Sequence, residues 1–254
     1  MIALMSSVPE EGRSIIKQLK KKSVVGGKPL HQGVLQGKEA VYIISGMGKT
    51  NAAHAATILL EKFSPKLLVL LGVGGAYPSS GLTIGDMVVA EKEVYGDEGV
   101  MLKDDFHGTE FMGIPLLKKG SRKYFNEFPL DKSLIRRAKN ILFPFFFRPP
   151  LVMQGKKGLK EKRGEFKIQS GTFVTVSTCT GTGKKALDLE KRFGALCENM
   201  EGASVAHVCA MYDTPMIELR GISNIVSERD KDKWNIRLAA AHCQEAAMEL
   251  LKNF

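Results

Sequence analysis

The chain has 254 residues and a formal net charge of +10, with 44% hydrophobic and 25% charged residues. That length can bury one large core or two smaller ones, and the composition is that of a globular protein, not a disordered or fibrous one. No apolar run has the length of a membrane span, no basic stretch precedes the apolar N-terminal residues, and the four cysteines form no CxxC pair, so the expectation is a cytoplasmic protein with reduced thiols, no metal site and no membrane partner.

Residues 2–7 read as a first strand, and a helix is predicted over 14–22. Glu10 and Glu11 fall between them, where acids either complement a helix dipole or reach a site at the edge of a sheet. Residues 24–37 are Gly-rich and read as loop or β-hairpin. Residues 40–45 form an apolar run of buried-strand type. Gly46-Met47-Gly48-Lys49-Thr50 then leads into an Ala-rich helix over 52–63. The GK[ST] element of a phosphate-binding loop is present, but its earlier glycine would fall at Ile43. A tight strand-to-helix turn is therefore expected, not a nucleotide site. Residues 66–71 form the next buried strand, followed by Gly72-Val73-Gly74-Gly75. Tyr77 stands where a dinucleotide fingerprint needs glycine, so no such cofactor is expected. Gly74 and Gly75 still let a ligand approach the backbone. After a turn at 81–86, residues 87–94 form another strand. Strand, helix, strand, strand predicts an α/β fold with a mixed sheet.

Residues 96–170 are the least regular. They hold the basic clusters 118–123 and 156–163 and the apolar patch Phe143–Phe147, which reads as a lid, a subunit contact or a satellite core. No aromatic residue interleaves 156–163 and no nucleic-acid motif is visible. The basic faces are read as solvated, with no nucleic-acid partner and a field that favours a small anionic substrate. Residues 171–180 are β-rich, and 184–193 form an amphipathic helix. Residues 203–211 have helical spacing and 216–219 read as a strand, which places Asn224 at its C-terminal end. Ligands of open α/β sheets bind at such ends, so Glu201 at a helix start and Asn224 can share a pocket. The alternative for Glu201 is a solvated acid favoured by the helix dipole. A last helix over 235–252 covers one sheet face, with Trp234 as a packing anchor. No domain boundary is evident.

Three stretches together resemble the nucleoside phosphorylase and nucleosidase superfamily: GVGGAYPSSGLTIGDMVVAEKEVYGDEGV (72–100), GTFVTVSTCTGT (171–182), and ENMEGASVAHVC with RGISNIVSERDKDKW (198–234). The resemblance spans nearly the whole chain and is weakest over 96–170. Within the superfamily, YGDEGV and the pair ENMEG and RGISN favour the futalosine hydrolases. The resemblance implies a single α/β domain over 1–254, three-layered α/β/α around a central mixed sheet, with 96–170 as lid or interface. It implies a cofactor-free enzyme that cleaves a nucleoside and assembles as a homo-oligomer.

By the same resemblance, Glu201 of the Met-Glu pair binds the ribose hydroxyls and Met200 packs on the sugar. Gly74, Gly75, Asn199 and Ser223 complete the implied substrate contacts. Cys179 and Thr180 stand where relatives place a base-stacking residue and a backbone contact, although simple packing is the preferred reading of Cys179. Glu11 matches the early-loop glutamate that activates water, with Glu10 as the fallback. Asn224 replaces the Asp that protonates N7 of adenine in adenine-releasing relatives, which implies a 6-oxopurine leaving base. Residues 72–94 hold no arginine, and Arg13 alone makes a thin phosphate site, so hydrolysis outranks phosphorolysis. The implied reaction converts futalosine and water to hypoxanthine and dehypoxanthine futalosine. The rivals are a purine nucleoside phosphorylase, a methylthioadenosine, adenosylhomocysteine or aminofutalosine nucleosidase, and a catalytically silent nucleoside-binding protein.

Overall fold

The computed structural model describes residues 1–103, 105–146 and 166–254. Fourteen strands are present among them: β1 (Ile2–Ser6), β2 (Lys21–Val25), β3 (Lys28–Leu35), β4 (Lys38–Ile44), β5 (Leu68–Ala76), β6 (Met87–Tyr95), β7 (Gly99–Met101), β8 (Phe106–Gly108), β9 (Leu117–Lys119), β10 (Arg122–Tyr124), β11 (Glu127–Pro129), β12 (Ile168–Thr175), β13 (Ala195–Asn199) and β14 (Met216–Ile225). The helices are α1 (Arg13–Ile16), α2 (Lys49–Phe63), α3 (Lys132–Phe146), α4 (Gly183–Phe193), α5 (Gly202–Met211) and α6 (Ile236–Asn253). None is long and apolar enough to cross a membrane.

The architecture is the expected α/β/α sandwich around a mixed sheet. Apolar β1, β4 and β5 pair in parallel and are covered on both faces, which is why they read as continuous apolar runs. On one face, Leu4, Val69 and Leu219 pack with Ile15, Leu142 and Leu250 from α1, α3 and α6. On the other, Met5, Val41 and Leu70 pack with Leu59 of α2 and Val205 of α5. A smaller cluster under α4 joins Ala186 and Leu189 to Val174 and Ala195.

The predicted helix over 14–22 is a single turn, and Lys21–Val25 is instead a strand antiparallel to β3. β-branched Val24 and Val25 suit a pleated edge, and the flanking lysines protect it from further pairing. Residues 96–146 are more regular than expected. β11 extends the sheet beside β6, and Ile135, Ala138 and Leu142 anchor α3 in the core. From the apolar patch, Phe146 packs on that core with its ring 6.2 Å from His242. Phe147 and the basic cluster 156–163 lie outside the described residues.

The sheet also closes on itself. β14 pairs with β5 and β6, β12 with β6 and β13, and β13 with β5, so five strands form a ring. Two bulges set what faces its interior. In β6, Ala90 pairs with Gly171 but Lys92 pairs with Thr172, so one extra residue is accommodated at Glu91. Side chains alternate along a strand, so this insertion puts Glu93 on the inner face used by Val88 and Ala90. In β14, Ile222 pairs with Gly74 and Asn224 with Gly75, which makes Ser223 the extra residue and re-aims Asn224. Gly221 is where β14 meets α6, and a Cβ there would stand 2.1 Å from the Ala239 carbonyl oxygen. Gly221→Ala is therefore expected to lower stability by roughly 1–3 kcal/mol, read as a lower urea midpoint with an unchanged slope.

Candidate active site

A cavity of about 300 Å³ opens where β1, β5, β13 and β14 end. Glu11, Gly74, Gly75, Cys179, Thr180, Asn199, Met200, Glu201, Ser223 and Asn224 all line it, whereas Glu10 and Arg13 do not. A larger hollow of about 410 Å³ lies across the 177–182 loop and shares Cys179 and Thr180. It reaches none of Glu11, Glu201 and Asn224.

Glu201 is the N-cap residue of α5 and is 4% exposed, so it is no solvated first-turn acid. Its Oε1 accepts from the Gly48 N–H at 3.0 Å and its Oε2 from Arg220 Nη1 at 3.3 Å. A carboxylate offers about four lone-pair sites. One on each oxygen remains free, enough for two vicinal hydroxyls. Gly48 has φ 91°, a conformation natural to glycine, and this turns its N–H towards the carboxylate. The neighbouring Lys49 binds Asp97 at 2.6 Å and Glu98 at 2.7 Å, so the GMGKT turn serves two ion pairs and a carboxylate contact, not a phosphate. Burial pushes the Asp97 carboxyl upward, but bonds from Lys49 and the Ser177 N–H outweigh it and hold Asp97 below the usual range.

Glu11 sits in the 3-10 turn after β1 and is 2% exposed. Its Oε2 accepts from Ser7 N, Ser7 Oγ and Val8 N at 3.0, 2.6 and 3.2 Å, and its Oε1 from Val73 N at 2.9 Å. One site on Oε1 stays open. Glu10, by contrast, is exposed and pairs with Arg13 at 3.6 Å. A Cβ on Gly72 would lie 2.7 Å from Glu11 Oε1 and 2.8 Å from Arg220 Nη1, so this position has no space for a side chain.

Asn224 Oδ1 lies 2.8 Å from Ser223 Oγ, which also reaches the Gly74 carbonyl at 3.2 Å. A hydroxyl donating to Oδ1 leaves Nδ2 as the amide's outward donor. Asn199 lines the cavity, but its side chain is engaged inward: Nδ2 donates to Glu93 and Oδ1 accepts from the N–H groups of Glu201 and Gly202. Its amide thus braces Glu201 instead of reaching for a ligand. Thr180 is fixed by Glu198, which accepts from its N–H at 2.9 Å and its hydroxyl at 2.6 Å. Cys179 is exposed, with Sγ 3.2 Å from Met200 Sδ, and so does not pack in the core. Trp234 is not only an anchor: it lines the cavity with the Arg229 guanidinium 5.1 Å from its ring centroid.

Sequence reasoning missed Arg220. It is 2% exposed and donates to Glu218 Oε1 at 2.9 Å as well as to Glu201. Burial alone would lower the pKa of Arg220; Glu218, Glu201 and Glu11 more than offset this and raise it. The available signal was a Glu and an Arg inside the otherwise apolar run MIELRGI, since charges inside a buried strand need partners. Among the described residues no group of three or more His, Cys, Asp or Glu side chains is placed to hold a metal ion.

A sequence profile of the Phosphorylase superfamily matches residues 1–254, and the chain belongs to that superfamily. Within it, the chain is 35% identical over 217 residues to the futalosine hydrolase of Thermus thermophilus, covering 85% of this chain and 83% of that protein. It is 28% identical over 193 residues to the 5'-methylthioadenosine/S-adenosylhomocysteine nucleosidase of Mycobacterium bovis, covering 76% of this chain and 72% of that one. Among solved structures, the corresponding nucleosidase of Neisseria meningitidis, in complex with methylthio-immucillin-A, matches the fold with a TM-score of 0.80 at 22% identity, over 100% of this chain and 99% of that one. Arg220→Met is expected to cost about 3–5 kcal/mol of stability, because it leaves buried Glu218 and Glu201 without their counter-charge; chemical denaturation measures this.

Proposed function

We propose that this protein hydrolyses the N-glycosidic bond of futalosine, releasing hypoxanthine and dehypoxanthine futalosine for menaquinone biosynthesis. The observation that carries the reading is the set of charges around the cavity floor. Arg220 lies among Glu201, Glu218 and Glu11, so its positive charge is already balanced; Arg13 is exposed on Glu10, and Arg229 lies over the Trp234 ring, away from that floor. Phosphate would meet carboxylates there, whereas water meets an acceptor. The 35% identity to the Thermus thermophilus futalosine hydrolase supports the choice of substrate.

In this reading Glu201 takes the two ribose hydroxyls with its free lone pairs, and Met200 packs on the sugar. The open site on Glu11 Oε1 orients the attacking water and accepts its proton as the new C–O bond forms. Departure of the base leaves positive charge on the sugar, and Glu201 and Glu11 stabilise it. Asn224 Nδ2 donates to N7 or O6 of the departing purine, and Ser223 keeps the amide turned that way. An amide has no proton to give up, so the base leaves as an anion whose carbonyl helps carry the charge; solvent then protonates it, and Glu11 returns the proton taken from water to solvent. Gly74, Gly75, Cys179 and Thr180 wall the base. The reaction runs without a cofactor. Exposed Met101, Phe111, Met112 and Ile114 support a homo-oligomer joined through the 96–170 region, and a cytoplasmic location fits the same reading.

Chromatography of the base released from futalosine, inosine and methylthioadenosine tests this directly. Hypoxanthine from futalosine without added phosphate is the expected result. A sugar-1-phosphate product would instead establish a phosphorylase, adenine release an adenine-type nucleosidase, and tight binding without turnover a silent binding protein. Glu201→Gln is expected to lower kcat by about a hundredfold or more. Asn224→Asp is expected to raise adenine release relative to hypoxanthine release by about a hundredfold, read as the ratio of kcat/KM values.

A further inference from the structure

Beneath the cavity lies a pair of acids that the proposed reaction leaves unused. Glu93 on β6 and Glu218 on β14 are both fully buried, and their carboxyl groups meet beside Gly202. Glu93 Oε1 accepts from Asn199 Nδ2 and its Oε2 from Thr175 Oγ1, each at 2.7 Å. Glu218 Oε1 accepts from Arg220 Nε at 2.9 Å, while its Oε2 meets no N–H or hydroxyl donor among the described residues. The groups are tightly confined: a Cβ on Gly202 would sit 2.0 Å from Glu93 Oε1 and 2.6 Å from Glu218 Oε1. Two ionised carboxylates in such contact repel strongly. One shared proton relieves the repulsion.

We propose that Glu93 and Glu218 act as a one-proton unit that positions Glu201, with Glu218 carrying the charge that holds Arg220 and Glu93 carrying the proton and holding Asn199. The proposal rests on the reading of Glu201 as the ribose-binding group. Both arms of the unit end on that residue: Arg220 Nη1 binds its Oε2, and Asn199 Oδ1 accepts from its N–H. The other ionisable groups around the pair are Glu11 across Arg220, the Cys197 thiol on β13 and the Tyr95 hydroxyl further along β6. Burial raises both Cys197 and Tyr95, so neither adds charge near neutral pH. Burial, then the Glu218 carboxyl, hold Glu93 well above the usual carboxylate range.

The raised Glu93 sets the sign of the pH dependence. The folded protein keeps a proton on Glu93 that the unfolded chain loses near an ordinary pKa of about 4.3. The associated stability is complete at low pH and drains as pH rises from there towards the raised folded value. Glu93→Gln keeps an N–H for Glu218 and exchanges no proton. Its melting temperature relative to wild type should therefore climb as pH rises above about 4.3. An infrared difference spectrum at neutral pH, wild type minus Glu93→Gln, should contain the carbonyl stretch of a protonated carboxylic acid. Glu218→Gln should melt cooperatively and lose about tenfold or more in kcat, with a smaller change in KM. No acid band, a melting difference that does not vary with pH, or wild-type kcat in Glu218→Gln would overturn the proposal. If wild-type protein releases no base from any nucleoside, the functional reading fails, and the infrared and melting measurements still decide whether the one-proton unit exists.

Discussion

The guanidinium of Arg220 is the point on which the site depends. An ion buried this deeply costs several kcal/mol in lost hydration unless partners surround it. Its partners here are Glu218, Glu201, the Val73 carbonyl and the field of Glu11. Each comes from a different stretch of chain, so satisfying one charge fixes the relative positions of β5, β14, the start of α5 and the turn after β1. The arginine thereby locks the ends of several elements into one cavity floor.

That floor needs space that ordinary strands do not provide. Gly72 leaves room for Glu11 and Arg220, and Gly202 leaves room for Glu93 and Glu218. The bulges at Glu91 and Ser223 reverse the facing of the strand residues beyond them. Without the first, Glu93 would point away from the ring interior. Without the second, Asn224 would not share a face with Gly75. Glycine placement and strand irregularity are thus part of the site as much as the ionisable side chains are.

Much of the fold and of the cavity wall is legible in the sequence. The apolar runs mark β1, β4, β5 and β6, and the Met-Glu and Ser-Asn motifs mark two walls of the cavity. The missed parts depend on contacts between residues distant in the chain. Lys21–Val25 is a strand because β3 offers it an edge, which no local pattern records. Arg220 is hidden because its meaning lies in Glu201 and Glu11, nineteen and more than two hundred residues away in sequence. Gly48 looks like part of a turn, and only its φ of 91° shows that its N–H serves Glu201. Residue type assigns Trp234 and Cys179 to packing, whereas their place at the cavity rim comes from loops whose course the pattern of apolar residues does not dictate.

The carboxylates of Glu11 and Glu201 take four of their hydrogen bonds from main-chain N–H groups, those of Ser7, Val8, Val73 and Gly48. Such donors belong to the backbone and survive any change of side chain that keeps the local path and is not proline. The two acids therefore stand on a footing largely indifferent to the identity of residues 8 and 73. Drift at those positions can reshape the apolar lining, and with it which nucleoside fits, while the charges that would act on the sugar stay where they are.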